Sequence, residues 1–225
     1  MKLTWIGQAG FRLEWDGLTV LLDPYLSDSC GKLSPDKYRR FPVEERYLRR
    51  QPDVIVTTHD HPDHYDRDTL DHFMQPGGDL TLLGSAACWK RAKTEYSGMC
   101  NPVRFTPRTR WTQNGILFEA VPAEHSEPTA VGVVIRDGSR VFYFSGDTLC
   151  NDAVLEALPQ DIDYAFLPVN GVGNNMNPAD AAWFADHCSA KQVIPVHVGM
   201  LDDLTPQSFT HPKALYLKPY EAVTL

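Results

Sequence analysis

The sequence predicts an α/β fold built on two β-sheets with helices outside them. Three observations carry this reading: short apolar runs recur along the chain, helix-like stretches alternate with several of them, and the β-rich segments fall into two halves of similar outline. With 225 residues and no compositional break, a single domain over residues 1–225 is expected.

The elements follow in order. Lys2 to Ile6, Gly10 to Trp15 and Leu18 to Leu22 are rich in strand formers, and Asp16-Gly17 is a hairpin signal, so an antiparallel meander opens the chain. Ser27 to Pro52 is polar and punctuated by proline, and Asp53 to Thr57 then reads as a buried strand. A helix starts near Asp66 to Thr69, and Pro76-Gly77-Gly78 breaks the chain before the buried strand Leu80 to Leu83. Gly115 to Val121, Val131 to Arg136 and Val141 to Ser145 form the second β-rich half, with Asp137-Gly138 as its hairpin signal. Asp163 to Pro168 and Gln192 to Val196 complete the strands, and Asn177 caps a helix between them with Pro178 at its first position.

Composition restricts the function classes. A formal net charge of −8 opposes binding to phosphate backbones, which relies on clustered Lys and Arg, so no nucleic-acid partner is expected. No apolar run approaches the roughly 20 residues of a membrane span, and the start lacks a signal peptide's apolar stretch, so no membrane partner and a cytoplasmic location are expected. Cys30, Cys88, Cys100, Cys150 and Cys188 show no CxxC spacing, which fits free thiols in a reducing compartment.

Chemistry concentrates where the Asp53 to Thr57 strand ends. His59-Asp60-His61-Pro62-Asp63-His64 places three imidazoles and two carboxylates in six residues. Imidazole nitrogen and carboxylate oxygen suit Zn²⁺, Mn²⁺ or Fe²⁺, and a short turn can direct His59 and His61 at one ion while Asp63 and His64 face another. A polar surface turn gives no reason for like groups to accumulate so densely.

This motif resembles the HxHxDH signature of the metallo-β-lactamase superfamily, matched by His59, His61, Asp63 and His64. Asp23-Pro24, His125, Ser145-Gly146-Asp147-Thr148 and Pro195-Val196-His197 resemble the family's remaining motifs in order. The resemblance implies a four-layer αββα sandwich and two divalent metal ions, Zn or Mn, with Fe also compatible. It implies that His59, His61 and His125 hold one ion, that Asp63, His64 and His197 hold the other, and that Asp147 bridges them. It also suggests that Asp23 orients a metal-bound histidine, although Asp23 could equally be a turn residue before Pro24. His72, His187 and His211 match no motif.

Within the superfamily the chain is similar to the bacterial L-ascorbate-6-phosphate lactonase group and its relatives described as metal-dependent hydrolases. The stretches that carry this are Trp5 to Phe11, Asp23 to Ser29, Thr58 to His64 and Asn170 to Asn177. The activity implied is hydrolysis of a lactone or carboxylic ester by a metal-bridging hydroxide, with Asp63 and Asp147 as the catalytic carboxylates and a small, sugar-derived, anionic substrate. A phosphodiesterase acting on a small nucleotide and a non-catalytic metal-binding protein are the alternatives. An oligomer is compatible with all three.

Two segments could recognise substrate. Lys32 to Arg50 is locally basic, so Arg39 and Arg40 could hold a phosphate, or the segment could be a solvated face in which Glu45 and Arg49 form a helical surface pair. Asn174 and Asn175 lie in a Gly/Asn-rich loop after the Asp163 to Pro168 strand, where their amides could orient sugar hydroxyls or simply make a turn.

Overall fold

A computed structural model describes residues Met1–Leu225 throughout. The chain forms two compact units: Met1–Arg104 with Gly199–Asp203 and Lys218–Leu225, and Phe105–Val198 with Leu204–Leu217.

In the first unit β1 (Lys2–Gly7), β2 (Gly10–Trp15) and β3 (Leu18–Leu22) form the expected antiparallel meander. The short helices α1 (Ser29–Leu33) and α2 (Arg67–Leu70) flank β4 (Val54–Thr57), and α3 (Ala86–Glu95) joins β5 (Thr81–Gly84) to β6 (Asn101–Arg104). β4, β5 and β6 extend the sheet in parallel from β3. β3, β4 and β5 are buried at every position, which is why they read as unbroken apolar runs rather than alternating ones. Leu70, Cys88 and Ala92 of the helices pack with Ile55 and Leu82 of the sheet, and each fully buried aliphatic side chain contributes about 1.5–3 kcal/mol.

The second unit repeats the plan. β7 (Arg110–Gln113), β8 (Ile116–Pro122), β9 (Val131–Arg136) and β10 (Val141–Phe144) run antiparallel in succession. α4 (Asp152–Glu156) then leads to β11 (Tyr164–Pro168), and α5 (Pro178–His187) connects β11 to β12 (Gln192–Val196), both strands parallel to β10. Asn177 Oδ1 accepts from the amides of Ala179 and Asp180, so the cap read from the sequence forms. Ala181 and Phe184 of α5 pack with Tyr143, Leu167 and Val193. The last strand, β13 (Ala222–Thr224), returns to the first unit and pairs antiparallel with β1.

The result is an α/β fold with two mixed sheets and few helices, of seven and six strands. α1, α3, α4, β6, β7 and β13 add to the elements expected from sequence, and α2 is a single turn. No helix is long and apolar enough to cross a membrane. In both units the chain turns at the C-terminal ends of the parallel strands, and there the polar residues collect, as is usual in open α/β sheets.

Candidate metal-binding residues

In the first unit, β3 ends at Leu22 and β4 ends at Thr57, so Asp23 and the Thr58 to His64 turn emerge side by side. Asp23 takes a left-handed φ of 40°. Gly10 permits the close approach of this backbone, since a Cβ there would meet the Asp23 carbonyl oxygen at 2.8 Å. The fully buried Asp23 carboxylate accepts from the Thr58 amide at 2.8 Å through Oδ1, and from the Thr58 hydroxyl at 2.6 Å through Oδ2. Oδ2 also accepts from His64 Nδ1 at 2.8 Å.

These bonds set the tautomers. A carboxylate only accepts, so His64 carries a proton on Nδ1, which makes Nε2 its candidate ligand atom. Thr58 Oγ1 gives its proton to Asp23 and therefore accepts from His59 Nδ1 at 3.1 Å, which makes Nε2 the candidate ligand atom of His59 as well. His59 Nε2 lies 3.0 Å from His61 Nδ1, and His64 Nε2 lies 3.7 Å from Asp63 Oδ2. Gln8, buried and at φ 52°, donates Nε2 to Asp63 Oδ2 at 2.7 Å, and its carbonyl is held by Trp5 Nε1 at 2.9 Å.

In the second unit, Asp147 follows β10 and His197 follows β12. His197 Nε2 lies 3.1 Å from Asp147 Oδ2, which also accepts from Asn175 Nδ2 at 2.9 Å. His197 sits at φ 63°, and strained backbone of this kind clusters at functional sites. His125 Nδ1 bonds the backbone carbonyl of Asn174 at 3.3 Å, which again leaves Nε2 with the lone pair.

Asn170 Nδ2 faces His197 Nδ1 at 3.0 Å while its own Oδ1 is buried with no acceptor role filled. A half-turn of that amide brings Oδ1 to His197 Nδ1–H, satisfies the orphaned oxygen and frees His197 Nε2 as a ligand. That orphan is what a metal-ligating His197 requires. The separation of 3.0 Å between His59 and His61 nitrogens is also near the roughly 3.3 Å that two imidazoles keep on one tetrahedral ion with bonds of about 2.0–2.1 Å. The donor set fits a divalent ion. His59, His61, Asp63, His64, His125, Asp147 and His197 are therefore the candidate metal-binding residues.

The residues expected to hold substrate are placed differently. Arg39 donates Nε to the Phe41 carbonyl at 2.9 Å, Nη1 to the Tyr25 carbonyl at 2.6 Å, and Nη2 to the Ile6 carbonyl at 3.2 Å and to the Tyr220 hydroxyl. Arg40 pairs with Asp203 at 3.3 Å and donates to the carbonyls of Asp36 and Tyr38. All three nitrogens of the Arg39 guanidinium and two of the three of Arg40 thus donate within the unit. Asn175 is 4% exposed and donates Nδ2 to Asp147 Oδ2, while the Asn174 side chain is exposed.

The sequence alone singles out no role for Gln8, Thr58 or Asn170. Gln8 and Asn170 stand in stretches that carry the closer resemblance, but only tertiary contacts show what each touches. His187 bonds the Trp183 carbonyl at 2.7 Å and His211 pairs with Asp186 at 3.2 Å.

A family profile described as a beta-lactamase superfamily domain matches residues 19–198. The chain belongs to the metallo-β-lactamase superfamily. Among its relatives is a UPF0173 metal-dependent hydrolase of Ligilactobacillus salivarius, 30% identical over 207 residues, with 88% of this chain and 84% of the relative covered. Another of the same name, from Methanopyrus kandleri, is 28% identical over 212 residues, with the same two shares covered. The fold of this superfamily member is similar to that of Igni18, a metallo hydrolase from the archaeon Ignicoccus hospitalis, at a TM-score of 0.74 and 20% identity, covering 99% of this chain and 97% of that one.

Proposed function

We propose that this superfamily member is a metal-dependent hydrolase of small lactones or carboxylic esters. The observation that carries the reading is the buried Asp23 carboxylate, which fixes His64 directly and His59 through Thr58 so that each ring offers Nε2 as its ligand atom. A polar turn with no ligand to hold has no need of such control, whereas metal-bound histidines regularly have a partner of this kind. As the family motifs imply, His59, His61 and His125 would hold one ion, Asp63, His64 and His197 would hold a second, and Asp147 would serve both.

Divalent ions bound there, Zn or Mn with Fe also compatible, supply water acidified to near neutral pH and a Lewis acid for the scissile carbonyl. The protein's part is positioning. Gln8 turns the Asp63 carboxylate, Asn175 turns that of Asp147, and Asn170 and the Asn174 carbonyl set His197 and His125. The exposed Asn174 amide is the group left to orient a substrate hydroxyl. The five cysteines form no disulfide, which supports a reducing compartment such as the cytoplasm.

The test is a hydrolysis screen over sugar lactones, their phosphates and cyclic nucleotides, using protein loaded separately with Zn²⁺, Mn²⁺ and Fe²⁺ and analysed for metal content. The expected result is about two ions per chain and lactone or ester cleavage that a chelator abolishes. Cleavage confined to cyclic nucleotides would replace this reading with a phosphodiesterase, and metal binding with no turnover of any class would leave a binding protein.

A further inference from the structure

Away from those residues, the first unit carries a groove of about 480 Å³ lined by β1, β2 and β13 and by the 310 turn Glu45–Tyr47. Lys2, Arg12, Arg46 and Arg50 line it against Glu14 and Glu221. Four cations less two carboxylates leave a local charge of +2 in a chain whose net charge is −8. Such an excess in an acidic protein attracts an anion to one place.

The cations are not equally engaged. Arg12 is 6% exposed; its Nη2 donates to Glu14 Oε1 at 3.1 Å, but its Nη1 is buried with no acceptor. A buried guanidinium donor without a partner is costly, and an anionic oxygen is its best acceptor. Lys2 and Arg50 are exposed and their side chains form no ion pair or hydrogen bond. Arg46 pairs with Glu44 and donates to the Tyr220 carbonyl. Tyr47 and Tyr220 stack with ring centroids 5.5 Å apart and wall one side.

We propose that this groove binds a phosphate group, free or as the monoester of a small metabolite, held by Lys2, Arg12 and Arg50. The charge of +2 matches a phosphate monoester dianion, and the planar Arg forks suit its oxygens. The groove is larger than one phosphate needs, and the stacked tyrosines offer a surface for an organic body. The site is separate from the candidate metal ligands. Lys2 begins β1 and Gln8 follows its end, so the two stand about 20 Å apart along an extended strand.

The experiment follows backbone amide shifts by NMR in the metal-loaded full chain, titrated with inorganic phosphate and with glucose 6-phosphate at constant ionic strength. Saturable shifts at Lys2, Thr4, Arg12 and Ala222 are expected. The double variant Lys2→Ala/Arg50→Ala alters only exposed, unbonded side chains and should weaken the binding about tenfold or more while leaving metal content and circular dichroism unchanged. Tighter binding of glucose 6-phosphate than of inorganic phosphate assigns the site to a monoester, and equal binding assigns it to free phosphate. Shifts that stay linear into tens of millimolar, that chloride reproduces, or that persist undiminished in the double variant would overturn the proposal. Phosphate bound at the metal ions is distinguished because its shifts fall on Asp63 and His64 and survive the double substitution.

Discussion

His64 Nδ1 donates to Asp23 Oδ2 across 2.8 Å, with both side chains fully buried. The same oxygen takes the Thr58 hydroxyl proton, so one carboxylate disciplines two imidazoles that are themselves five residues apart. The substitution Asp23→Asn keeps the shape and the left-handed backbone, which Asn tolerates, and removes the charge. Metal affinity should fall about 10–100-fold, the usual loss when a ligand's outer partner is removed. Calorimetric titration of metal-free protein with Zn²⁺ measures this, and unchanged affinity would remove Asp23 from the site.

Asn170 provides a sharper test of the tautomer argument. Aspartate at this position can only accept, so Asn170→Asp should keep or raise metal affinity by securing His197 with its proton on Nδ1. Asn170→Ala should lower affinity by about tenfold. Titration of both variants with the same metal separates the two cases, and the reverse order of affinities would mean that Asn170 donates to His197.

Asp147 accepts from Asn175 and faces His197. The variant Asp147→Asn should lose about 100-fold or more in kcat while its unfolding curve stays close to that of the parent, because the change is small in volume and concerns charge. Steady-state kinetics beside urea denaturation reads both quantities. Near-normal turnover would exclude a catalytic role.

Arg39 ties the carbonyls of Ile6 and Tyr25 to the Tyr220 hydroxyl. Ile6 and Tyr25 each stand two residues from a site residue, Gln8 and Asp23 respectively. Arg39→Met should therefore destabilise the chain by about 2–4 kcal/mol, the sum of several modest hydrogen bonds. It should alter KM for phosphorylated and unphosphorylated analogues alike. A selective rise for the phosphorylated analogue would restore the anion-binding role that the geometry argues against.

Burial pushes the Cys88 thiol up to about 12, with its Ser85 and Thr57 contacts opposing the shift. The folded pKa lies above the unfolded one, so this contribution to stability is complete below about pH 8.5 and is lost as pH rises toward the folded value. The loss from this group amounts to at most about 1.4 kcal/mol per pH unit. Urea midpoints measured from pH 8 to 11 should fall more steeply in the parent than in Cys88→Ala. Equal slopes would show that other groups govern the alkaline limb.

Much of the architecture is legible locally. The runs that became β2, β3 and β9 have the same bounds in sequence and structure, because their apolar and β-branched residues have no stable alternative to a buried sheet. The His59 to His64 cluster announced metal chemistry without any fold, since residue type alone limits what such a group can bind. By contrast β6 reads Asn-Pro-Val-Arg and is half exposed; its strand state comes from pairing with β5 at the sheet edge, where Pro is tolerated. β13 spans three residues and exists because β1 offers it an unpaired edge.

The sequence by itself determined the α/β pattern and which side chains could be ligands, because strand period, turn chemistry and donor identity are carried by neighbouring residues. Only the tertiary structure decided that Arg39 is a clamp, that Asn175 serves Asp147, and which nitrogen each histidine presents. Arg39 and Tyr220 are 181 positions apart, and a guanidinium meets whichever acceptors the fold brings within 3 Å or so. Its charge is written in the sequence, but its partners are a property of folded distance.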